Sequence, residues 1–373
     1  MIKKILTLIL ITICFSISSY SLNELSIMRQ SEKITNDNRP QNMIAEEVRG
    51  IYITGNTVHW KPRFEELLQF VKDSDINSMV IDFKDDSGVI SMKTDNEYIL
   101  EVDPRYHRGS DYAGIIKMLN DNNIYTIARI VVFKDPHLSQ KKPEWSIKTA
   151  DGSLWRDRKG ITWVDPHNPH VWEYSIEASK EAAKLGFREI QFDYVRFPTD
   201  GNVKAIKYSN ENGEEMKDVI HNFLKYANEE LAEYNVFLAA DVFGLTTTTL
   251  DDMGMGQQYE LIAEEVDYIC PMVYPSHYGP YNYGFANPNA HPYGVVRQAM
   301  IDGMKKGEGK RAYIRPWLQD FNMGTPRYGV HEVREQIRAV YESDHNEWIM
   351  WNAANRYNES AYYNIDALKS TKK

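Results

Sequence analysis

Cysteine is nearly absent from this sequence, which has only Cys14 and Cys270 among its 373 residues. Because Cys14 lies in a predicted N-terminal leader, the chain after the leader has no pair of cysteines for an intramolecular disulfide. A domain without disulfides needs a large apolar core of its own. Residues 48–357 are enough for one such domain, and neither cysteine resembles an activated nucleophile.

The sequence also has little positive charge. Its 43 Lys and Arg are outnumbered by 53 Asp and Glu, which gives a formal net charge of −10, and no long basic run is present. This composition argues against nucleic acid as a partner and against docking to an anionic membrane, since both depend on a positive surface. Aromatic residues are plentiful instead, with 24 Tyr, 13 Phe and 8 Trp. Aromatic rings stack on sugars, although they also fill protein cores.

Several catalytic signatures are missing. No glycine-rich phosphate loop follows the first predicted strand, and there is no Gly-x-Ser-x-Gly elbow. The amidohydrolase type of barrel needs His-x-His on its first strand, whereas His59 stands alone and the other histidines lack the close spacing of metal ligands. We therefore expect no cofactor and no catalytic metal, and a metal-dependent amide or ester hydrolase is kept as a disfavoured alternative.

No apolar run is long enough to span a bilayer, which takes about 20 residues. The apolar stretch at residues 5–17 follows two lysines and precedes several serines. This pattern is typical of a secretory signal peptide, which we place at residues 1–22. The protein is thus expected outside the cytoplasm, secreted or associated with the cell envelope. Lipid attachment at Cys14 is an alternative, disfavoured by the bulky Ile13 before it.

The sequence beyond the leader divides into three parts. Residues 23–47 are polar, with no sustained apolar period, and are predicted to be a linker. Residues 48–357 form the predicted folded domain, and residues 358–373 a C-terminal tail.

Strand and helix patterns alternate through the predicted domain. Strands are predicted over residues 48–53, 79–83, 125–133, 188–193, 236–241, 266–272, 311–314 and 348–352. Helices are predicted between them, over residues 64–72, 112–120, 169–185, 216–234, 259–265, 295–305 and 330–341. Such alternation predicts an α/β fold with a parallel sheet, and eight strands favour a closed (β/α)₈ TIM barrel over an open sheet.

Long loops follow the third to the sixth predicted strands. They cover residues 134–168, 196–215, 243–258 and 274–292. All leave the C-terminal ends of strands, the face where barrel enzymes build their active sites. Loops of this length are usually functional or disordered, so a site is expected on this face.

Aspartates end the fourth and fifth predicted strands. Strand alternation places Gln191 and Asp193 on one face of the fourth strand, pointing into the barrel, and does the same for Ala239 and Asp241 in the fifth. The two strands are neighbours, so both carboxylates should reach one pocket, as glycoside hydrolysis requires of its catalytic pair. The alternatives are structural: an ion pair of Asp193 with an arginine (Arg129 or Arg196), or a loop-capping role for Asp241.

Polar and aromatic side chains at the other strand ends are the candidate substrate-binding residues, because a polyhydroxylated ring needs both kinds of contact. They are Asp82 and Lys84 on the second strand, Arg129 on the third, Arg196 after the fourth, Tyr274 after the sixth, Arg315 and Trp317 on the seventh, and Asn352 on the eighth. Positive charge near Asp193 would favour its ionised form, whereas the apolar neighbours of Asp241 would favour its protonated form.

Four motifs carry a resemblance to a known family. They are Ile-Asp-Phe-Lys-Asp-Asp-Ser-Gly at residues 81–88, Gln-Phe-Asp-Tyr-Val-Arg-Phe-Pro at 191–198, Ala-Asp-Val-Phe-Gly at 240–244 and Pro-Met-Val-Tyr-Pro-Ser-His-Tyr at 271–278. Over residues 48–357 the chain resembles a bacterial family of glycosyl hydrolase domains, TIM barrels distantly similar to the α-amylase clan.

The resemblance implies the fold and the reaction class. In amylase-like barrels the nucleophile ends the fourth strand, which corresponds to Asp193, and the acid is a glutamate after the fifth, where this chain has Asp241. We therefore expect a glycosidase that cleaves an O-glycosidic bond in a polysaccharide or oligosaccharide, with Asp193 as nucleophile or base and Asp241 as acid. A non-catalytic carbohydrate-binding barrel of the cell envelope is the alternative function.

Overall fold

The computed structural model describes residues 47–108 and 112–369. The predicted signal peptide and nearly all of the predicted linker lie outside these residues. Eight strands form one sheet: β1 (Arg49–Ile53), β2 (Ser78–Lys84), β3 (Tyr125–Val131), β4 (Glu189–Asp193), β5 (Phe237–Phe243), β6 (Tyr268–Met272), β7 (two segments, Tyr313–Ile314 and Trp317–Gln319) and β8 (Trp348–Trp351).

The sheet closes on itself, and its strand pairs are parallel. β1 pairs with β2 on one side and with β8 on the other, where Arg49 lies opposite Trp348. The second segment of β7 pairs with β8 and touches β6 through Trp317 and Met272. A closed parallel barrel of eight strands confirms the predicted (β/α)₈ TIM barrel.

Ten α-helices lie among the described residues. They are α1 (Gly55–His59), α2 (Lys61–Asp73), α3 (Glu97–Val102), α4 (Ala113–Asp121), α5 (Pro136–Lys141), α6 (Pro169–Lys184), α7 (Met216–Leu231), α8 (Tyr259–Glu265), α9 (Pro292–Lys306) and α10 (Val330–Tyr341). Seven of these match the predicted helices. The three others, α1, α3 and α5, are short and have side-chain N-caps, Thr54, Asn96 and Asp135, each accepting a backbone N–H.

The chain after β8 is part of the folded domain, although residues 358–373 were predicted to be a tail. Two 3₁₀ helices, Glu359–Tyr362 and Ile365–Leu368, lie within the segment predicted to be a tail. Tyr362 and Ile365 are fully buried, and the Tyr362 hydroxyl donates to Asp320 at 2.6 Å. These short helices pack against the barrel, where the Tyr362 ring meets Phe70 of α2 edge-on and lies tilted against Trp348 of β8.

Strand alternation separates two apolar layers. Ile190 and Phe192 of β4 belong to the large layer between strands and helices, together with Leu67 of α2 and Phe223 of α7. The smaller layer fills the barrel interior and includes Ala239 of β5. Residues of odd number in β4 thus point inward, as predicted, which directs Asp193 to the interior at the C-terminal end of its strand.

The described helices include no candidate for a membrane span. Among residues 47–108 and 112–369, no helix combines the length and the apolar character needed to cross a bilayer.

Candidate active site

A cavity of about 470 Å³ opens at the C-terminal ends of the barrel strands. Its polar walls are formed by Asp86, Arg129, Asp193, Arg196, Asp241 and His277. Its aromatic walls are formed by Tyr194, Phe243, Tyr274, Tyr278, Trp317 and Trp351. Both predicted catalytic aspartates therefore line one cavity on the face where barrel enzymes carry their active sites.

Asp193 is the last residue of β4 and is held by donors on both carboxylate oxygens. Arg129 donates to Oδ2 from Nη2 at 2.5 Å and from Nε at 3.0 Å, and the backbone N–H of Tyr194 donates to Oδ1 at 2.6 Å. Tyr194 has a left-handed backbone (φ 49°), which is uncommon for a residue other than glycine and is frequent at functional sites. The three donors fix the orientation of the Asp193 carboxylate.

Asp241 lies on the neighbouring strand in a different environment. Gln191 and Phe192 of β4 are in register with Ala239 and Ala240 of β5, so Asp241 follows at the level of Asp193. Its side chain is almost completely buried, and Trp317 Nε1 donates to its Oδ1 at 2.6 Å. Burial, assisted by the nearby Asp193 carboxylate, raises the pKa of Asp241 well above its usual value, although the bond from Trp317 opposes this.

Arg129 connects three carboxylates beneath the cavity. Besides Asp193 it donates to Asp82 at 2.7 Å and to Asp86 at 2.8 Å. Asp82 also accepts a hydrogen bond of 2.5 Å from the Tyr52 hydroxyl. Burial raises the pKa of Asp82 to about 6 against the opposing effect of Arg129. Asp82 does not line the cavity, but it contacts Arg129, which does.

Asp193 has a structural contact as well as a proposed catalytic role. The ion pair of Asp193 with Arg129, one alternative left open by the sequence, is present. It orients the carboxylate at the cavity wall instead of removing it, so the pair is compatible with catalysis.

Lys84 is not in the cavity. A register shift lies between Asp82 and Lys84, and Lys84 pairs with Ile130 of β3. Ile130 belongs to the layer between strands and helices, so Lys84 lies on that side and not beside Asp82. There it is fully buried and forms an ion pair of 2.6 Å with Asp135. The inference that Lys84 and Asp82 share a face was wrong because of this bulge.

Arg315 lies deeper in the barrel, away from the cavity. Its guanidinium contacts Glu189, the first residue of β4, at 2.7 and 2.9 Å and Glu347 at 2.7 Å. It also stacks 3.5 Å from the ring centre of Tyr268, the first residue of β6. Because these partners begin their strands, Arg315 belongs to the N-terminal half of the barrel interior, where it neutralises buried carboxylates.

Asn352 is also outside the main cavity. Its side-chain amide donates to the carbonyl oxygens of Asp320 at 2.5 Å and of Arg356 at 2.6 Å, and it lines a separate, smaller surface pocket. Its hydrogen bonds hold the loop after β8 in place. Of the ten predicted site residues, the structure brings six into the cavity: Arg129, Asp193, Arg196, Asp241, Tyr274 and Trp317.

Other cavity residues were not predicted as site residues. They are Asp86, Tyr194, Phe243, Met253, Met272, His277, Tyr278 and Trp351, with Gly244 and Leu245 at the end of β5. Most lie within or beside the four motifs. Their proximity to those motifs was the signal in the sequence that could have identified them as site residues. The close approach at Gly244 was not visible in sequence: a Cβ there would lie 2.5 Å from the Tyr278 hydroxyl.

The electrostatics of the cavity suit proton transfer. A protonated Asp241 can donate from Oδ2 while Trp317 holds Oδ1, and an ionised Asp193 can attack or activate water from the adjacent strand. No three His, Cys, Asp or Glu side chains gather as potential metal ligands within the described part of the chain. Cys270 is buried behind Asp241, and burial raises the pKa of its thiol well above the usual value.

Comparison with known proteins gives one family match. Residues 50–357 match the family model described as "Putative glycosyl hydrolase domain". No functionally curated protein matches the chain at a significant level.

Solved structures with similar folds include glycoside hydrolases. The PgaB (BpsB) glycoside hydrolase domain from Bordetella bronchiseptica has 10% sequence identity and a TM-score of 0.61, with coverage of 88% of this chain and 100% of that one. The spore cortex-lytic enzyme SleL of Bacillus megaterium QM B1551 has 12% identity and a TM-score of 0.52, with coverage of 89% and 76%. At these identities the likeness shows the shared fold.

A further match is closer in sequence but shorter. A hypothetical protein from Ruminiclostridium thermocellum ATCC 27405 is 37% identical, with coverage of 55% of this chain and 98% of that chain and a TM-score of 0.47.

Proposed function

This chain belongs to the family of glycosyl hydrolase domains, and from that premise we propose that it cleaves O-glycosidic bonds in an extracytoplasmic polysaccharide with Asp193 and Asp241 as its catalytic pair. One observation carries the proposal. Two aspartates near the C-terminal ends of adjacent strands line one cavity, one paired with Arg129 and the other buried with a raised pKa. Glycosidases need this division between a carboxylate and a carboxylic acid.

Asp241 is the proposed general acid. Its burial raises the pKa of the carboxyl group and so favours the protonated form, and Trp317 fixes the orientation of that group. The proton on Oδ2 would pass to the glycosidic oxygen as the bond to the anomeric carbon breaks. Water-excluding aromatic walls strengthen this interaction by lowering the local dielectric constant.

Asp193 is the proposed nucleophile or base. Attack on the anomeric carbon would give a glycosyl-enzyme that water then hydrolyses, and activation of water would give the product in one step. Either path needs an ionised, oriented carboxylate, which the donors from Arg129 and Tyr194 provide. The aromatic rings around the cavity provide faces on which sugar rings can stack.

The extracytoplasmic setting is proposed on the N-terminal sequence, where two lysines precede a short apolar stretch and small residues. A substrate in the cell envelope or its surroundings is consistent with that leader. SleL, whose fold is similar, is a spore cortex-lytic enzyme. The same fold therefore occurs in at least one enzyme that acts on a layer outside the cytoplasm.

An assay of Asp193→Asn separates an enzyme from a carbohydrate-binding barrel. The purified wild-type protein and the variant would be incubated with cell-wall and exopolysaccharide preparations, and released reducing ends would be measured. We expect release by the wild type, loss of release of at least about 10³-fold in the variant, and retention of the polysaccharide on both in a pull-down. Binding by both proteins without release by either would favour the non-catalytic barrel.

A further inference from the structure

Three of the predicted substrate-binding residues are arginines, and the protein neutralises two of them. Arg129 contacts three carboxylates, and Arg315 contacts two. Both have a pKa raised well above the usual value, because the carboxylates outweigh the effect of burial. Arg196, which lines the cavity, forms no ion pair with any described residue.

Aromatic rings surround Arg196 in place of acids. Its guanidinium carbon lies 5.1 Å from the ring centres of Trp163 and Tyr194 and 4.9 Å from that of Phe243. Stacking of this kind fixes the plane of the group but does not neutralise its charge. Of its five N–H donors, the described part of the chain engages one, through a bond of 3.0 Å from Nη1 to the Phe197 carbonyl oxygen.

The acids closest to Arg196 do not compensate for its burial. Burial lowers the pKa of Arg196, and the opposing effects of Asp193, Asp200 and Asp157 do not restore it. Asp193 is already engaged by Arg129, and Asp157 accepts hydrogen bonds from Trp163 and from its own loop. A partly buried cation with free donors is costly unless a ligand supplies the missing negative charge.

We propose that Arg196 binds a carboxylate group on the sugar substrate, so that this site prefers acidic saccharides such as those built from uronic acids. The planar guanidinium fork matches a carboxylate in a two-bond geometry, and its aromatic frame holds it in one orientation. Asp86 and Asp193 make another wall of the cavity negative, which repels a carboxylate there and favours only the orientation toward Arg196. The inference rests on the proposed function for the identity of the ligand as a saccharide.

Binding of matched saccharides tests this inference. Hexuronic acid trisaccharides and the same trisaccharides with their carboxyl groups chemically reduced to alcohols would be titrated calorimetrically into the full chain carrying Asp193→Asn, which prevents turnover. We expect the acidic form to bind at least tenfold more tightly, as one charged hydrogen-bonded contact typically provides. Added salt should reduce this ratio.

The variants are Arg196→Gln and Arg196→Lys, with Arg338→Gln as the control. Arg338 lies on α10 and pairs with Glu335 away from the cavity. Arg196→Gln should abolish the preference, Arg196→Lys should retain part of it, and the control should retain all of it. If Arg196→Gln does not fold, the lysine variant and the salt series still decide the question.

Two results would overturn the inference: equal binding of acidic and reduced saccharides, or a preference that persists unchanged in Arg196→Gln. Sulfated trisaccharides that show the Arg196-dependent preference when the carboxylated ones do not would also overturn the carboxylate assignment. Hydrolysis of reduced saccharides as fast as acidic ones by the wild type would leave the proposed function intact and refute this inference. An Arg196-dependent preference without any hydrolysis would refute the proposed function alone.

Discussion

Asp193 and Asp241 are identical residues one strand apart, and they lie in different environments. Arg129 and the Tyr194 N–H donate to the Asp193 carboxylate, whereas burial and the Asp193 charge raise the pKa of Asp241. The hydrogen bond from Trp317 Nε1 and the positive charge of Arg129 oppose this rise. The working pH range of the enzyme should therefore depend on this tryptophan.

Replacement of Trp317 by Phe removes the N–H that stabilises ionised Asp241. The pKa of Asp241 should rise further, so the acid should keep its proton to higher pH and the alkaline limb of kcat/KM should move upward. The pH dependence of kcat/KM for the wild type and the variant provides the measurement.

The control for this experiment is Trp351→Phe, which changes another cavity tryptophan, one that stacks on Tyr52. Its alkaline limb should move less. An alkaline limb that stays in place in Trp317→Phe, or moves to lower pH, would contradict the assignment of that limb to Asp241.

At the scale of secondary structure elements, the bulge in β2 decides what Lys84 does. A regular strand would direct Asp82 and Lys84 to the same side, and the sequence gives no signal for the extra residue. Lys84 instead donates to the Val131 carbonyl oxygen at 2.5 Å and pairs with Asp135, the N-cap of α5. Its role is to join β2, β3 and α5, and a sequence pattern of period two cannot reveal this.

Replacement of Lys84 by Met should destabilise the fold without changing substrate recognition. Loss of one partner from a fully buried ion pair typically costs about 3–5 kcal/mol, because the remaining charge on Asp135 is left unpaired. Urea unfolding would give the change in free energy, and KM of the folded variant should equal that of the wild type.

Lys72→Met serves as the control, because Lys72 is an exposed lysine near the end of α2 and its replacement should change stability by less than about 0.5 kcal/mol. A Lys84→Met protein with unchanged stability and a raised KM would return Lys84 to the substrate site.

β7 shows a second limit of sequence patterns. The predicted strand stops at residue 314, whereas the chain resumes at Trp317–Gln319 after Arg315 and Pro316. Proline has no N–H to donate to the ladder, so it interrupts the strand. The second segment nevertheless closes the barrel and carries Trp317 to Asp241.

At the scale of the whole molecule, the barrel was predictable because eight strand patterns alternate with seven helical patterns. The barrel also indicated where the candidate site lies, since β4 ends at Asp193 and β5 carries Asp241 near its C-terminal end. The positions of Arg315 and Asn352 were not predictable. Both lie near strand ends, where substrate-binding residues are expected. Their side chains instead contact Glu189 and Asp320, and these partners become clear only in the folded chain.

Export of the molecule is a separate prediction. The mature protein should begin beyond Ser18 and be found outside the cytoplasm, because a signal peptidase removes the leader. N-terminal sequencing of protein isolated from the producing cells provides the measurement, and labelling with a lipid precursor shows whether Cys14 is an anchor. Recovery of a chain that starts at Met1 in the soluble cytosol would contradict export.

The measurement that tests the proposed pair most directly compares two substrates and two variants. One substrate is the natural polysaccharide, and the other is a glycoside of the same sugar whose leaving group departs without protonation. Asp241→Asn should lose activity on the natural substrate by about 10²–10⁴-fold, as expected for loss of general acid catalysis, and keep most of it on the activated glycoside. Asp193→Asn should be inactive on both, since it lacks the carboxylate that attacks or activates water. Full activity of both variants on the natural substrate would contradict the account.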